Sequence, residues 1–281
     1  MQTRDTRNRL EEILASVRTD LESRKRQVPI GELSRRAARR GAARKIRSRI
    51  GTVPGVIAEV KRASPSRGTI RQDLDAARLA AAYEEAGACA VSILTESRFF
   101  GGSLADLDAA SGATREVPIL RKDFLLDEYM LVESRAYGAD LVLLIAAALG
   151  PETATMVGRA REYGLEPLVE IHDEAELEKA IEAGAGIIGV NNRDLTRFAV
   201  DLRTAERLLP KIPAGTLRVV ESGIRDPLDL HRFLGLGADL FLIGEALVRA
   251  EDPALRLKEF LRESNPNEWT KEGEEWKRKS S

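Results

Sequence analysis

Cysteine occurs once in this chain, at Cys89, and histidine only at His172 and His231. A single cysteine excludes an internal disulfide framework and fits a reducing cytoplasm, where the protein is expected to reside. Neither histidine has a partner at metal-ligand spacing, so no metal is expected. No apolar run is long enough to cross a bilayer, and the N-terminus lacks the apolar centre of a signal peptide; no membrane partner is expected. The net charge of −1 gives no overall pull toward nucleic acid or acidic lipid. Aromatic residues make up 5% of the chain, and none precedes Tyr83.

That last absence bears on the one strongly basic stretch. Lys25, Arg26, Arg35, Arg36, Arg39, Arg40, Arg44, Lys45, Arg47 and Arg49 fall within a short span. A nucleic-acid arm would combine such charge with aromatic stackers, and acidic residues elsewhere balance the charge here. Solvated helix faces account for the stretch better, and no nucleic-acid partner is expected. Before it, Leu10, Ile13, Leu14, Val17 and Leu21 recur at three- and four-residue spacing, which predicts an amphipathic helix.

From Val56 onward one grammar repeats. Apolar, β-branched-rich runs stand at Val56–Val60, Cys89–Leu94, Pro118–Leu120, Leu141–Ile145, Pro167–Val169, Ile187–Val190, Leu217–Val220 and Leu240–Ile243. A polar loop and a helical pattern follow each run. Several helices close on glycine (Gly87, Gly138, Gly164, Gly184, Gly237), the residue that takes the left-handed conformation ending a helix. Strands apolar on both faces and alternating with helices imply a parallel sheet covered by helices. Eight such units predict a single (β/α)8 barrel. A doubly wound open sheet is the alternative, but no glycine-rich dinucleotide fingerprint follows the first strand. The expected division is a helical extension over residues 1–52 packed on the barrel, the barrel over 53–263, and a tail over 264–281. In that tail Trp269 and Trp276 lie seven apart, as on one face of a helix, or simply fray.

In such a barrel the C-terminal ends of the strands share one mouth. The first strand sends Glu59 and Lys61, two apart, to the same side. Opposite charges on a buried strand either serve each other structurally or serve a ligand. Ser64 follows. The second strand end adds Thr95, Glu96, Phe100, Gly101 and Gly102, and the third Arg121, Lys122, Asp123 and Phe124. The fifth adds Glu170, the sixth Asn191, Asn192, Arg193 and Asp194, and the seventh Glu221, Ser222 and Gly223. The eighth adds Gly244 and Glu245. The fourth is apolar throughout. Lysines and carboxylates in one mouth suit acid–base catalysis on an anionic substrate. The turns at Glu221-Ser222-Gly223 and Gly244-Glu245 place small residues where backbone N–H groups and a short helix N-terminus would bind phosphate. His172, just past Glu170, reads as a cap or a lining residue of its loop.

The strings EVKRASPSRG, SILTESRFFGGS, RKDF, VEIHDE, NNRDL, VVESGI and LIGEALVRAEDP together resemble the indole-3-glycerol phosphate synthase family over Val56 to Pro253. The resemblance implies a cofactor-free lyase of tryptophan biosynthesis. Its phosphorylated substrate, 1-(2-carboxyphenylamino)-1-deoxyribulose 5-phosphate, is closed to an indole with loss of CO2 and water. By the same resemblance Lys122 is the general acid of ring closure. Lys61 holds the substrate carboxylate, Glu170 is the base of dehydration, and Glu59 and Asn191 orient their neighbours. Arg193, Glu221 and Ser222 support them. Ser64 and the backbone around Gly223, Gly244 and Glu245 hold phosphate, while Phe100, Phe124 and Leu143 form a slot for the aromatic ring. Relatives often carry serine or alanine where Glu245 stands, and a carboxylate there must turn away from phosphate. A phosphoribosylanthranilate-isomerase-type barrel and a non-catalytic phosphosugar-binding barrel are the alternatives. The expected assembly is a monomer or weak homodimer.

Overall fold

The computed structural model describes residues 9–46, 55–65 and 68–263. The C-terminal tail with its two tryptophans, and Arg47 and Arg49 of the basic stretch, lie outside the described residues. Eight parallel strands close into a barrel: β1 (Gly55–Val60), β2 (Ala90–Leu94), β3 (Ile119–Lys122), β4 (Leu141–Ile145), β5 (Glu166–Ile171), β6 (Ile187–Asn191), β7 (Leu217–Glu221) and β8 (Leu240–Ile243). Each pairs with its sequence neighbours, and β8 closes on β1, with Ala58 opposite Ile243. The predicted runs and the observed strands agree to within a few residues. The third differs usefully, because it runs on through Lys122 and carries that lysine on the strand itself.

Before the barrel come α1 (Arg9–Gln27) and α2 (Ile30–Ala38). The outer layer holds α3 (Ala76–Ala86), α4 (Leu104–Ala113), α5 (Glu128–Ala136), a short α6 (Ala146–Leu149), α7 (Thr153–Glu162), α8 (Glu174–Glu182), α9 (Arg203–Leu208), α10 (Pro227–Leu234), a short α11 (Glu245–Val248) and α12 (Pro253–Glu263). Their starts follow from sequence. Asp75, Ser103, Asp127, Asp173 and Asp226 each accept a hydrogen bond from an N–H of the first helical turn. The helix-closing glycines predicted from sequence take the left-handed conformation, Gly87 at φ 98° and Gly184 at φ 64° among them.

The helical extension is clasped to the barrel. Leu10, Ile13, Leu14, Val17 and Leu21 are buried, as their spacing predicts, and α2 lies against α5. The basic residues are a different matter. Arg26, Arg35, Arg39 and Lys45 are exposed, as expected, but the partly buried ones meet carboxylates: Lys25 Nζ lies 2.8 Å from Asp127, Arg36 2.8 Å from Asp108, and Arg44 2.6 Å from Asp140. Arg40 joins Arg36 on Asp108, and Arg36 also sits 4.1 Å over the Tyr137 ring. Half-buried pairs of this kind orient one element on another more than they stabilise it.

Candidate active site

The site residues that the family resemblance implies all line one cavity of about 550 Å³ at the C-terminal end of the barrel. That volume suits a drug-sized ligand. At its centre Lys122 Nζ donates to Glu170 Oε2 at 3.0 Å and lies 3.3 Å from Glu221 Oε2. Lys61 Nζ is 2.6 Å from Glu59 Oε1, so the first strand's charges do pair, inside the cavity wall.

Room for these carboxylates comes from glycine. A Cβ on Gly189 of β6 would lie 2.1 Å from Glu221 Oε1, and a Cβ on Gly244 would lie 2.2 Å from Glu59 Oε1. A side chain on Gly189, or on Gly244 just past β8, would therefore displace the carboxylate that faces it. Gly244 was expected only as a phosphate-binding turn, and this second requirement was not visible in sequence.

The electrostatics follow from packing charges out of water. Burial alone would push the Lys122 ammonium's pKa down, but Glu170, Glu221 and Glu59 outweigh it, so Lys122 stays protonated well into alkaline pH. The two carboxyls around it diverge. Burial would raise Glu170, yet the Lys122 and His172 cations and the Asn191 side chain hold it below the ordinary carboxylate range. Glu221 is driven the other way, upward, by burial and by the neighbouring Glu170 charge, with Lys122 only partly offsetting this. The two carboxyls that share one lysine are thus pushed in opposite directions.

The cavity has an apolar side. Phe100 and Phe124 face each other with ring centroids 6.3 Å apart at 40°, and Leu94, Leu143 and Ile145 continue the wall. The apolar fourth strand lines this slot. Ser64, Ser222, Gly223, Gly244 and Glu245 also line the cavity. Ser222 (φ 62°) and Gly223 (φ 86°) are successive left-handed residues that turn the chain at the end of β7. Gly223 is further constrained because a Cβ there would press on Val200 and Leu202, at 2.8 and 2.6 Å. Glu245 is paired with Arg249 Nε at 3.1 Å, so its charge has a partner at the cavity edge.

Several strand-end residues do not serve the mouth. Arg121 is fully buried behind β3: it donates to Thr95, Met130 O, Glu133, Ser134 and Asp123. Asp123 spends its carboxylate on Arg121, Thr95 and the Phe124 N–H, which fixes the Phe124 backbone. Glu96 accepts the N–H groups of Arg98, Phe99 and Phe100, bracing the other ring's loop. Asn192 bridges Ser222 O and the Ala205 N–H. Asp194 closes its own turn. Arg193 remains in the cavity wall, donating its N–H to Asn191 Oδ1 and a guanidinium N–H to Phe198 O. The loop from Leu195 to Leu202 over this wall, and Arg225, were not anticipated.

A closed parallel barrel whose mouth sets lysine–carboxylate pairs against an aromatic slot defines an acid–base enzyme acting on a small, partly apolar anion. Residues 10–260 match the family described as indole-3-glycerol phosphate synthase. "Indole-3-glycerol phosphate synthase 1" of Streptomyces coelicolor is 48% identical over 257 residues, 90% of this chain and 94% of that protein. The indole-3-glycerol phosphate synthase of Streptomyces griseus is 51% identical over 254 residues, with the same coverage. The chain belongs to the indole-3-glycerol phosphate synthase family. Among solved structures, a 3-hexulose-6-phosphate synthase superposes with a TM-score of 0.60 at 19% identity, covering 75% of this chain and all of that one, a likeness of fold.

Proposed function

We propose that the chain converts 1-(2-carboxyphenylamino)-1-deoxyribulose 5-phosphate to indole-3-glycerol phosphate, CO2 and water, in the cytoplasm and as a monomer or weak homodimer. The observation that carries this reading is the single ammonium of Lys122 held between two buried carboxyls beside an aromatic slot. The ring would lie between Phe100 and Phe124 against Leu143, its carboxylate toward Lys61. The phosphate would lie at Ser64 and the backbone of Gly223, Gly244 and Glu245. Extension and barrel would work as one unit.

In the first step the ring carbon bearing the carboxylate attacks the ribulose carbonyl carbon. Lys122 gives its proton to the oxygen, stabilising charge where it develops. The carbon–carboxylate bond then breaks as CO2, and its electron pair restores the ring. In the last step the new hydroxyl leaves as water, with Lys61 as acid, while Glu170 takes the ring-methylene proton and the indole double bond forms. Glu59 orients Lys61. Asn191, Arg193, Glu221 and Ser222 hold the acid, the base and the substrate hydroxyls in place.

The isomerase alternative would need a cysteine or a free aspartate at the mouth. Cys89 lies instead at the opposite end of the barrel, against Gly55 before β2, and Asp123 is committed to Arg121. The test is direct: incubate the protein with the carboxyphenylamino substrate and follow indole fluorescence. Turnover is expected, and Lys122→Ala should lose about 10²–10⁴-fold in kcat while still binding substrate. Near-normal turnover by Lys122→Ala would remove Lys122 from the acid's role.

A further inference from the structure

His172 stands two residues beyond Glu170 and has no role in the reaction as written above. Its ring is mostly buried and lies between two carboxylates. Nδ1 is 3.1 Å from Glu176 Oε2 on α8, and the same oxygen accepts the His172 backbone N–H at 2.8 Å. That double hold fixes where the ring points. Nε2 lies 3.5 Å from Glu170 Oε1. Among the described residues, both of those atoms are buried without a hydrogen bond. Two orphaned polar atoms facing each other across 3.5 Å, one on a carboxylate and one on an imidazole, are the two halves of a charge-assisted contact.

The contact resolves an ambiguity in the centre of the site. Glu170 and Glu221 are equally buried and meet the same Lys122 at 3.0 and 3.3 Å. Two such carboxyls near one ammonium share a proton, and symmetry would leave it on either. His172 breaks that symmetry, since its close contact is with Glu170 alone, while Glu221 has Gly189 against it instead.

We propose that His172 is a positioning residue that, anchored by Glu176, holds the shared proton on Glu221 and so keeps Glu170 ionised as the base. This rests on the reading of Glu170 given under Proposed function. The charged and titratable groups facing the ring are Glu170 from β5, Glu176 from α8 and Glu221 from β7, with Lys122 behind Glu170. Burial alone would lower the His172 pKa, but Glu176 and Glu170 outweigh it, so the ring carries its charge to higher pH than an ordinary histidine. As pH rises through that value the charge is lost, and with it the bias on the carboxyl pair.

The experiment has an arm that needs no turnover. The chain has two histidines, so a proton NMR titration of the holo-length protein shows two ring C2–H signals, assigned with His231→Gln. The His231 signal is expected to titrate below the ordinary range, where burial places it, and the His172 signal above it. Glu170→Gln and Glu176→Gln should each move the His172 midpoint down. A His172 midpoint indifferent to Glu170→Gln overturns the proposal, whether or not the protein turns over its substrate. Absence of turnover in the wild type would instead count against the function alone.

In the kinetic arm, His172→Gln should lower kcat on the order of tenfold with KM little changed, the cost typical of losing a partner behind a reacting group. The acidic limb of the kcat profile should move to higher pH, so that the deficit narrows as pH rises. Glu176→Gln should do the same more weakly. Wild-type kinetics in His172→Gln, or a loss equal at every pH, overturns the proposal.

Discussion

Replacing Gly189 by alanine adds one methyl group to the floor of the barrel mouth, and the structure says what it would strike. Its Cβ would stand 2.1 Å from Glu221 Oε1 and 3.2 Å from both Glu221 Cδ and Leu168 Cδ1. Ordinary contact begins at 3.4 Å, so the carboxyl oxygen must retreat by about 1.3 Å. The 3.3 Å contact with Lys122 cannot keep its present geometry through that displacement. Overpacking of this size costs about 1–3 kcal/mol, and each kcal/mol lowers Tm by roughly 2–4 °C in a domain of this size. The catalytic loss should be at the upper end of the same range, since a misplacement of about 1 Å in an acid–base constellation can cost roughly 100-fold, about 2.7 kcal/mol. Urea denaturation of Gly189→Ala, Glu221→Ala and the double variant separates the causes. If the methyl acts through Glu221, adding it to Glu221→Ala should cost far less than adding it to the wild type, a coupling of about 0.5–3 kcal/mol. Additive costs would refute the account and place the strain in the backbone or at Leu168.

Two further outcomes are expected. Arg121→Met leaves Glu133 and Asp123 without their buried guanidinium and should destabilise the protein by about 3–5 kcal/mol, read as a lower urea midpoint at unchanged slope; an unmoved midpoint would mean the network contributes nothing. Phe124→Leu removes one ring of the aromatic slot and should cost about 0.5–1.5 kcal/mol of binding, roughly 2- to 12-fold in KM, with kcat less affected.

The barrel was legible because the strands are largely apolar on both faces and several helices close on a left-handed glycine that other residues replace only at a cost in strain. The mouth was legible because every strand end in this topology points to one place. Arg121 shows where that shortcut misleads. It stands beside Lys122, but neighbours on a strand face opposite sides, and period-two alternation by itself sends Arg121 outward into the helix layer. His172 had a signal too: it is two from Glu170, hence on the same face, and four from Glu176, hence within reach of the following helix. From its position alone it reads as a cap or lining residue of its loop; the two carboxylates on its ring come from the way the loop packs. The clearance that Gly189 and Gly244 give to Glu221 and Glu59 depends on packing across strands, which no local pattern encodes. The basic stretch looked like a solvated face because its acidic partners lie far along the chain.

That distance has a consequence during synthesis. Lys25 meets Asp127 across 102 residues, and Arg40 and Arg44 meet the Ala136 carbonyl and Asp140 across 96. At about 5–20 residues per second, helices α1 and α2 leave the ribosome roughly 5–20 s before their counterparts exist. They emerge first and dock only once the β3–α5–β4 segment has been made, while β1 waits longer still, for β8. Until then the charges of Lys25, Arg36, Arg40 and Arg44 face water rather than these partners, and the same four later tie α1 and α2 to the barrel.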